Sequence, residues 1–523
     1  MNYLEEQWRQ DKLRCALAIC WLLTVAVSFF NAYLFPIEIP GIGTWYAFRT
    51  MLSLTATLYV IYAVREKRFF WKDSTALEKW CYVFITVMLL YGAASLPRAL
   101  DLSWTFRRLF NLCFDMCFFF LMLRLCRWKD IRKLTLAVCF IMWVAVMLMG
   151  IYEVFNGGIV EFKYNRANYQ DFTWFLSRFQ YPVVFFSNTN DYALLLTFFY
   201  AIFLLIAWKE PRIPQWTTVI LTAATYFLLL ATSGRLCIFA FLILLTAQIL
   251  CALLRCQKAA RRTAAAMLLC VFCIQFCNQY QFIVPPIEHY LHQRAEYTQA
   301  VKDAEEKARQ DAENNVQQGG EASGEQQETP VDLEKPELQI GDPRKESLSE
   351  QFFEIDDETG EKMLRNDASA GERAQLLIHA FRCFINSYGL GVGFGNTEIM
   401  ARENANIAEG TLWNIHCFLA RIIGDYGLFI LIPLCAIAFL LLKNLIVSAL
   451  AAQKRKDKQS STYALLFFAV LLTYPIVSTA SSDAQDNLPM WIYLALAVLL
   501  NLQYFDSRAL PALCEKEKDG LYI

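Results

Sequence analysis

The stretch LLLATSGRLCIFAFLILLTAQIL, residues 228–250, contains the pattern that decides the fold. Two long apolar runs are separated only by the four residues TSGR, 232–235. About 20 apolar residues in a row are enough to cross the hydrocarbon core of a bilayer. Because a chain in lipid must satisfy its backbone hydrogen bonds internally, both runs are predicted to be membrane-spanning helices. The tight turn that joins them carries Arg235.

The same pattern recurs along the chain. Of its 523 residues 56% are hydrophobic, and the mean hydropathy is +0.32, whereas about 45–50% apolar residues are usual in a soluble domain. We therefore predict an all-α polytopic membrane protein with about 12 transmembrane helices. The apolar runs lie roughly at 14–35, 44–64, 78–97, 105–126, 134–154, 189–208, 215–233, 235–254, 263–285, 424–449, 462–480 and 488–505.

Charge gives the orientation of these helices. The formal net charge is −1, so no basic field indicates nucleic-acid binding. Lysine and arginine are concentrated in every second loop, at about 65–72, 124–133, 209–212, 255–262 and 454–458. Cytoplasmic loops carry this excess, so both termini are predicted to be cytoplasmic. Arg235 then lies on the outer side, as do Arg98, Arg107 and Arg108, which are exceptions to the bias.

The runs divide the chain into four parts. Residues 1–285 hold helices 1–9, residues 286–423 form a large extracytoplasmic loop, residues 424–505 hold helices 10–12, and residues 506–523 are a cytoplasmic tail. Within the loop, about 296–350 is rich in charge and poor in apolar residues, which predicts a disordered insertion.

The loop also contains an amphipathic helix, predicted at about 369–388. Ser369 and Glu372 have the spacing of a capping box. Leu377, Phe381 and Phe384 share one helical face, so the helix is predicted to lie on the membrane or on the mouth of the helix bundle. The sequence GLGVGFGN, 389–396, follows and predicts a turn that lets the backbone approach either a pyrophosphate or another helix closely.

Three ionisable residues are candidates for chemistry at the outer face. Arg373 lies in the first turn of the amphipathic helix, where the helix dipole disfavours a cation unless an anion is near. Arg235 and Arg373 together can hold a diphosphate by forked hydrogen bonds. His416 stands where the chain re-enters the membrane, and a neutral histidine can remove a proton from an attacking hydroxyl. Arg421 and Asp425 follow it with the spacing of a helical ion pair.

In this order and spacing, the motifs resemble those of the O-antigen ligase and O-antigen polymerase superfamily of bacterial membrane glycosyltransferases. FSNTNDYALLL, 186–196, is similar to an Asn-x-Asn motif at the start of a span, with Asn188 and Asn190 matching. TSGRLCIFAFLIL, 232–244, is similar to a Ser-Arg turn, although Gly234 is inserted. The segments from 371 to 396 and from 416 to 429 resemble an arginine helix and a histidine motif, with Cys417 in place of the usual asparagine.

The resemblance implies an inverting glycosyl transfer that needs no metal and no other cofactor. The donor would be a glycan on an undecaprenyl-diphosphate carrier, and the acceptor would be a hydroxyl on a glycan, lipid or wall anchor. Arg235 and Arg373 would bind the diphosphate, His416 would act as base, and Asn188, Asn190, Arg421 and Asp425 would support the site.

Two alternatives stay open at this stage. A repeat-unit polymerase of the same superfamily would carry the same motifs. A polysaccharide transporter or flippase would also have about twelve spans, but transporters often show repeated halves, and no internal repeat is evident. The ionisable residues also lie towards one face, which favours the transferase.

Overall fold

The computed structural model is almost entirely helical. It describes residues 11–30, 34–39, 43–67, 71, 74–156, 182–186, 189–210, 213–232, 234–255, 258–276, 353–355, 362–364, 368–403, 415, 417–479 and 488–505. The predicted insertion at 296–350 and the tail at 506–523 lie outside these residues.

Nine helices precede the outer segment. They are α1 (Lys12–Ser28), α2 (Ala47–Arg65), α3 (Ala76–Ser95), α4 (Leu102–Leu125), α5 (Lys129–Asn156), α6 (Thr189–Lys209), α7 (Gln215–Ala231), α8 (Arg235–Arg255) and α9 (Lys258–Phe276).

Six helices follow. The first three are α10 (Ala368–Asn386), α11 (Asn396–Glu403) and α12 (Phe418–Tyr426), and the last three are α13 (Leu428–Lys454), α14 (Lys458–Val477) and α15 (Leu488–Phe505).

All twelve predicted apolar runs coincide with helices. Within the described residues, nine helices are long and apolar enough to cross a membrane, which makes this a multi-pass membrane protein. Three helices that match predicted spans fall outside this group: α1 and α7, with 17 residues each, and α4, which carries four charged side chains. The count of twelve spans and their orientation therefore stay predictions.

Two short antiparallel β-hairpins are present that the all-α prediction did not include. In the first, β1 (Ile37–Ile39) pairs with β2 (Gly43–Trp45) between α1 and α2. In the second, β3 (Phe353–Ile355) pairs with β4 (Lys362–Leu364). The second hairpin belongs to a separate compact unit, Gln275–Ala368. The other unit consists of the chain up to Ile274 and from Ser369 onward, and it contains the helix bundle.

The centre of the bundle is formed by α6 and α15. In the membrane-crossing windows of these helices, 83% and 89% of the residues are buried. Both helices are apolar around their whole circumference, as expected for helices surrounded by others. Phe198 of α6 stacks on Tyr493 of α15 with ring centroids 4.1 Å apart. By contrast, only 28% of the window of α13 is buried, which leaves most of that helix facing outward.

Candidate functional site

Helix α10 packs on the bundle through an unexpected face. Leu376 and Ala380 are buried and form a small apolar cluster with Ala401 of α11 and Ile415. The predicted contact face points outward instead, since Leu377 and Phe381 are exposed. Helix α10 therefore has two apolar faces, and the first of them places it beside the segment that leads into α12.

The glycine-rich turn after α10 is a backbone clamp on α12. Its four glycines, 389, 391, 393 and 395, all have positive φ, between 78° and 104°. Every backbone N–H from Gly389 to Thr397 donates to a protein acceptor at 2.9–3.2 Å. These acceptors are carbonyls of Phe384, Ser387, Gly393, Gly424 and Asp425, hydroxyls of Ser95 and Ser387, and the Asp425 carboxylate. Of the two predicted neighbours, pyrophosphate or helix, this geometry fits the helix.

The close approach explains why glycine is needed at position 391. Gly391 has φ +82°, and a β-carbon there would overlap the backbone carbonyl of Asp425. Alanine at this position should therefore cost more than the roughly 1–2 kcal/mol of a left-handed backbone alone. Gly395→Ala is the matched control, because at φ +78° its β-carbon would make ordinary contacts, with Thr105 Oγ1 at 3.6 Å and Trp104 Cδ1 at 3.9 Å.

Thermal unfolding of both variants in detergent tests this prediction. We expect the midpoint of Gly391→Ala to fall clearly below that of Gly395→Ala. Equal midpoints would mean that the clamp at residue 391 is looser than these contacts indicate.

A buried network of four charges lies under the clamp. Arg421 and Glu398 are 0% exposed, as is Asp425, and Arg108 of α4 is 6% exposed. Glu398 pairs with Arg108 at 3.1 Å and with Arg421 at 3.3 Å. The predicted Arg421–Asp425 pair is present at 3.7 Å. Two positive and two negative groups therefore balance inside the protein.

The other contacts of Asp425 fix the start of α11. Its carboxylate accepts from Thr397 Oγ1 at 2.6 Å, from the Thr397 N–H at 3.2 Å and from the Gly395 N–H at 3.0 Å. Arg421 and Asp425 are thus enclosed and bonded to protein groups. They hold α11 and α12 together and do not line an open surface.

The network also ties the start of α11 to the first half of the chain. Besides the pair between Arg108 and Glu398, the side chain of Asn396 accepts from the Leu100 N–H and donates to the Arg98 carbonyl, both at 3.1 Å. The sequence reveals Arg98 and Arg108 only as exceptions to the charge bias. No local pattern marks them as partners of residues 396 and 398.

His379 is a second residue that sequence analysis missed. It lies on the buried face of α10, with Nε2 3.1 Å from the Thr397 carbonyl and 3.5 Å from Cys383 Sγ. Burial lowers the pKa of this imidazole below its ordinary value of 6.5, although the contact with the carbonyl opposes the shift. The folded protein therefore favours the neutral ring.

This shift predicts a pH dependence of stability. As the pH falls through about 6.5, the unfolded chain binds a proton at His379 more readily than the folded chain does. The free energy of unfolding should therefore be constant above that range and decline below it, until the lowered pKa is passed. Unfolding midpoints between pH 5 and 8 should show a shallower decline in His379→Gln than in the wild type. If the midpoints of wild type and variant declined in parallel, His379 would be excluded as the cause of the pH dependence.

Arg235 and Asn190 begin neighbouring helices. Gly234 lies so close to α6 that a β-carbon on it would be 2.9 Å from the β-carbon of Ala193. The first turns of α6 and α8 are therefore adjacent. Arg235 is exposed, Asn190 is half-buried and Asp191 is buried.

Helix α14 sets the level of Arg235 in the bundle. Near the end of α8, Cys251 Sγ contacts the carbonyl of Thr462, near the start of α14, at 3.1 Å. The two helices pack along their length and are therefore antiparallel. Arg235 precedes Cys251 in α8 by as many residues as Ser478 follows Thr462 along α14. Since both helices rise 1.5 Å per residue, Arg235 lies level with the end of α14.

The beginning of α12 lies at this same end. The ring of Phe418 meets Tyr474, in the last turn of α14, at 5.8 Å and Trp491, in the first turn of α15, at 5.6 Å. Tyr474 in turn lies 6.1 Å from Phe198 of α6. One aromatic cluster thus connects α12 with the helices next to Arg235.

The structure therefore places the start of α8 and the start of α12 at the same end of the bundle, and α10 beside Ile415. Asn188 and His416 lie outside the described residues, but Ile415 and Cys417 on either side of His416 are buried. Arg373 lies in α10 one turn before Leu376, and its side chain is outside the description. Within the described residues no group of three His, Cys, Asp or Glu side chains is arranged to hold a metal ion.

Comparison with known proteins adds one relative. The chain is similar to the teichuronic acid biosynthesis protein TuaE of Bacillus subtilis (strain 168). The two are 20% identical over 517 residues, which cover 96% of this chain and 87% of TuaE. No protein-family model matches the sequence. The similarity to TuaE thus extends over the spans and the outer segment alike.

Proposed function

We propose that this protein is a membrane glycosyltransferase of cell-envelope polysaccharide biosynthesis. In its specific form, the proposal is a ligase that moves a glycan from undecaprenyl diphosphate to an acceptor hydroxyl at the outer face of the cytoplasmic membrane. Two findings support the general class. The chain has nine helices long and apolar enough to cross a membrane among its described residues. TuaE, whose similarity covers 96% of this chain, is named for teichuronic acid biosynthesis.

One structural observation supports the site in particular. The start of α8 with Arg235, the helix that carries Arg373 and the residues flanking His416 all pack at one end of one bundle. These segments are far apart in sequence, and a transfer site needs cationic and basic groups near each other.

The proposed reaction uses these groups as follows. His416 takes the proton of the acceptor hydroxyl, and the oxygen attacks the anomeric carbon of the donor from the side opposite the phosphate. The bond between that carbon and the phosphate oxygen breaks, and its electron pair leaves with the diphosphate. Arg235 and Arg373 offset the charge that develops there. The configuration at the anomeric carbon is inverted.

The remaining predicted residues have supporting roles in this proposal. Asn190 begins α6 beside Arg235, and Asn188 precedes it by two residues. Arg421 and Asp425 hold α12, the helix that begins two residues after His416, against α11. They act by fixing the position of that segment.

An assay in lipid nanodiscs tests the function. Purified protein is mixed with an undecaprenyl-diphosphate oligosaccharide and candidate acceptors, and the products are resolved by length. A single glycan per acceptor is the expected result. A ladder of lengths would assign the polymerase reaction instead, and movement of the donor across a bilayer without transfer would replace the proposal by a flippase.

A further inference from the structure

The surface of α10 is divided into three sectors along its length. On a helical wheel of 100° per residue, the first sector faces the bundle and contains Leu376, His379, Ala380 and Cys383, all buried. The second contains the exposed apolar residues Leu377, Ile378, Phe381 and Ile385. The third contains Gln375, Arg382 and Asn386, which are exposed and polar.

The second sector is large for a surface in water. Its four side chains are 42%, 53%, 56% and 56% exposed, in sequence order. They follow one another along the helix, so they form one stripe and not scattered contacts. A helix on a surface in water has two faces, an apolar face towards the protein and a polar face towards the solvent. Helix α10 has a second apolar face in addition.

This stripe continues into the outward surface of a spanning helix. After α10 the chain turns at Gly389, whose carbonyl accepts from the Leu428 N–H at 2.8 Å, at the first residue of α13. Leu390, Leu428 and Ile432 are 54%, 44% and 57% exposed. Most of α13 faces outward, and in a membrane that surface is covered by acyl chains. The Gly389–Leu428 hydrogen bond thus joins the end of α10 to the start of this surface.

We propose that α10 lies in the membrane interface on the site's side of the bilayer, with this stripe in contact with acyl chains. The bundle covers the first sector, lipid covers the second and water covers the third. This is the arrangement of an interfacial amphipathic helix, with the addition of a protein contact on one side.

The placement sets a depth for the proposed site. A helix in this position lies at the level of the lipid headgroups, where the phosphates of lipids are found. Residue 373, in the second turn of α10, then lies at the depth of a lipid-linked diphosphate whose tail stays in the bilayer. This consequence rests on the proposed function, whereas the placement of the helix does not.

Photo-crosslinking in nanodiscs of phosphatidylglycerol and phosphatidylethanolamine tests the placement. The photoreactive residue p-benzoylphenylalanine replaces Phe381 or Ile385 in the stripe, and Gln375 or Asn386 in the polar sector as matched controls. We expect at least about tenfold more lipid adduct, measured by mass spectrometry, from the two stripe positions. Ile385 and Asn386 form the sharpest comparison, because they are neighbours in sequence on different sectors.

Equal lipid adducts from the two sectors would overturn the proposal. So would adducts at Phe381 and Ile385 to a second copy of the chain, since these would show a protein covering the stripe. The wild-type transfer assay is independent of this result. Its failure with stripe-specific lipid adducts would remove the proposed reaction and leave the interfacial helix in place.

Discussion

Replacing Arg421 with methionine is expected to lower the free energy of unfolding by about 3–5 kcal/mol, the usual cost of removing one partner from a buried ion pair. Arg421 is 0% exposed and contacts Glu398 at 3.3 Å and Asp425 at 3.7 Å. Without it, this network holds two enclosed carboxylates and one guanidinium, that of Arg108, which pairs with Glu398. Unfolding monitored by size-exclusion chromatography after heating should show the loss as a large fall in midpoint.

The matched control is Arg382→Met, which removes the same charge from the exposed polar face of α10. Its midpoint should stay within the error of the wild type. A similar fall in both variants would mean that the effect of Arg421→Met comes from charge in general and not from the buried network.

A double variant tests whether Arg108 and Glu398 stabilise the protein together, as members of one network. Arg108→Met alone leaves the network with one excess negative charge, whereas Arg108→Met combined with Glu398→Gln leaves Arg421 and Asp425 balanced. We expect the double variant to be less destabilised than the sum of the two single variants, because the removed groups contact each other at 3.1 Å. Simple additivity would contradict the network.

Loss of either Arg235 or Arg373 is expected to have the largest effect on activity. In the proposed reaction each guanidinium offsets charge on the departing diphosphate, and removal of one such donor commonly slows an enzyme by about 10²–10³-fold. Arg235→Ala and Arg373→Ala should therefore lose nearly all transfer in the nanodisc assay while their abundance in the membrane stays normal. Arg235 is exposed, so its removal leaves no cavity.

Two further variants make this result specific. Arg→Lys at either position keeps the charge but loses the forked geometry, and should recover only part of the activity. Arg382→Ala, on the polar face of the same helix as Arg373, should transfer at the wild-type rate. Normal transfer by both alanine variants at 235 and 373 would remove these residues from the site.

The spans and the outer helix were predictable from sequence because their signals are local. Each of the twelve apolar runs overlaps a helix, and α10, predicted at about 369–388, is observed at Ala368–Asn386. The ion pair of Arg421 and Asp425 was predictable for the same reason, since four residues along a helix bring side chains together.

The inward face of α10 was not predictable, because apolar residues occupy two neighbouring sectors. Leu376 and Leu377 adjoin in sequence, yet one is 1% and the other 42% exposed. Periodicity finds a broad apolar stripe and cannot tell which part of it meets protein and which part meets another apolar environment.

The partners of the outer segment were also beyond sequence analysis, because they are distant in the chain. Arg108 and Glu398 come together only because α4 packs against the start of α11.

The predicted tenth span begins later than expected. Gly427 ends α12 with φ +59°, so that α12 is a separate short helix and the span starts at Leu428.

The bonds that Asn396 and Glu398 make to residues 98–108 have a consequence for how the polypeptide could be divided. They link two lengths of chain that are connected covalently only through residues 275–368. A polypeptide severed within that connection would keep these non-covalent links between its two pieces. Separately synthesised fragments meeting there thus have a ready-made basis for reassembly, as in split-protein complementation.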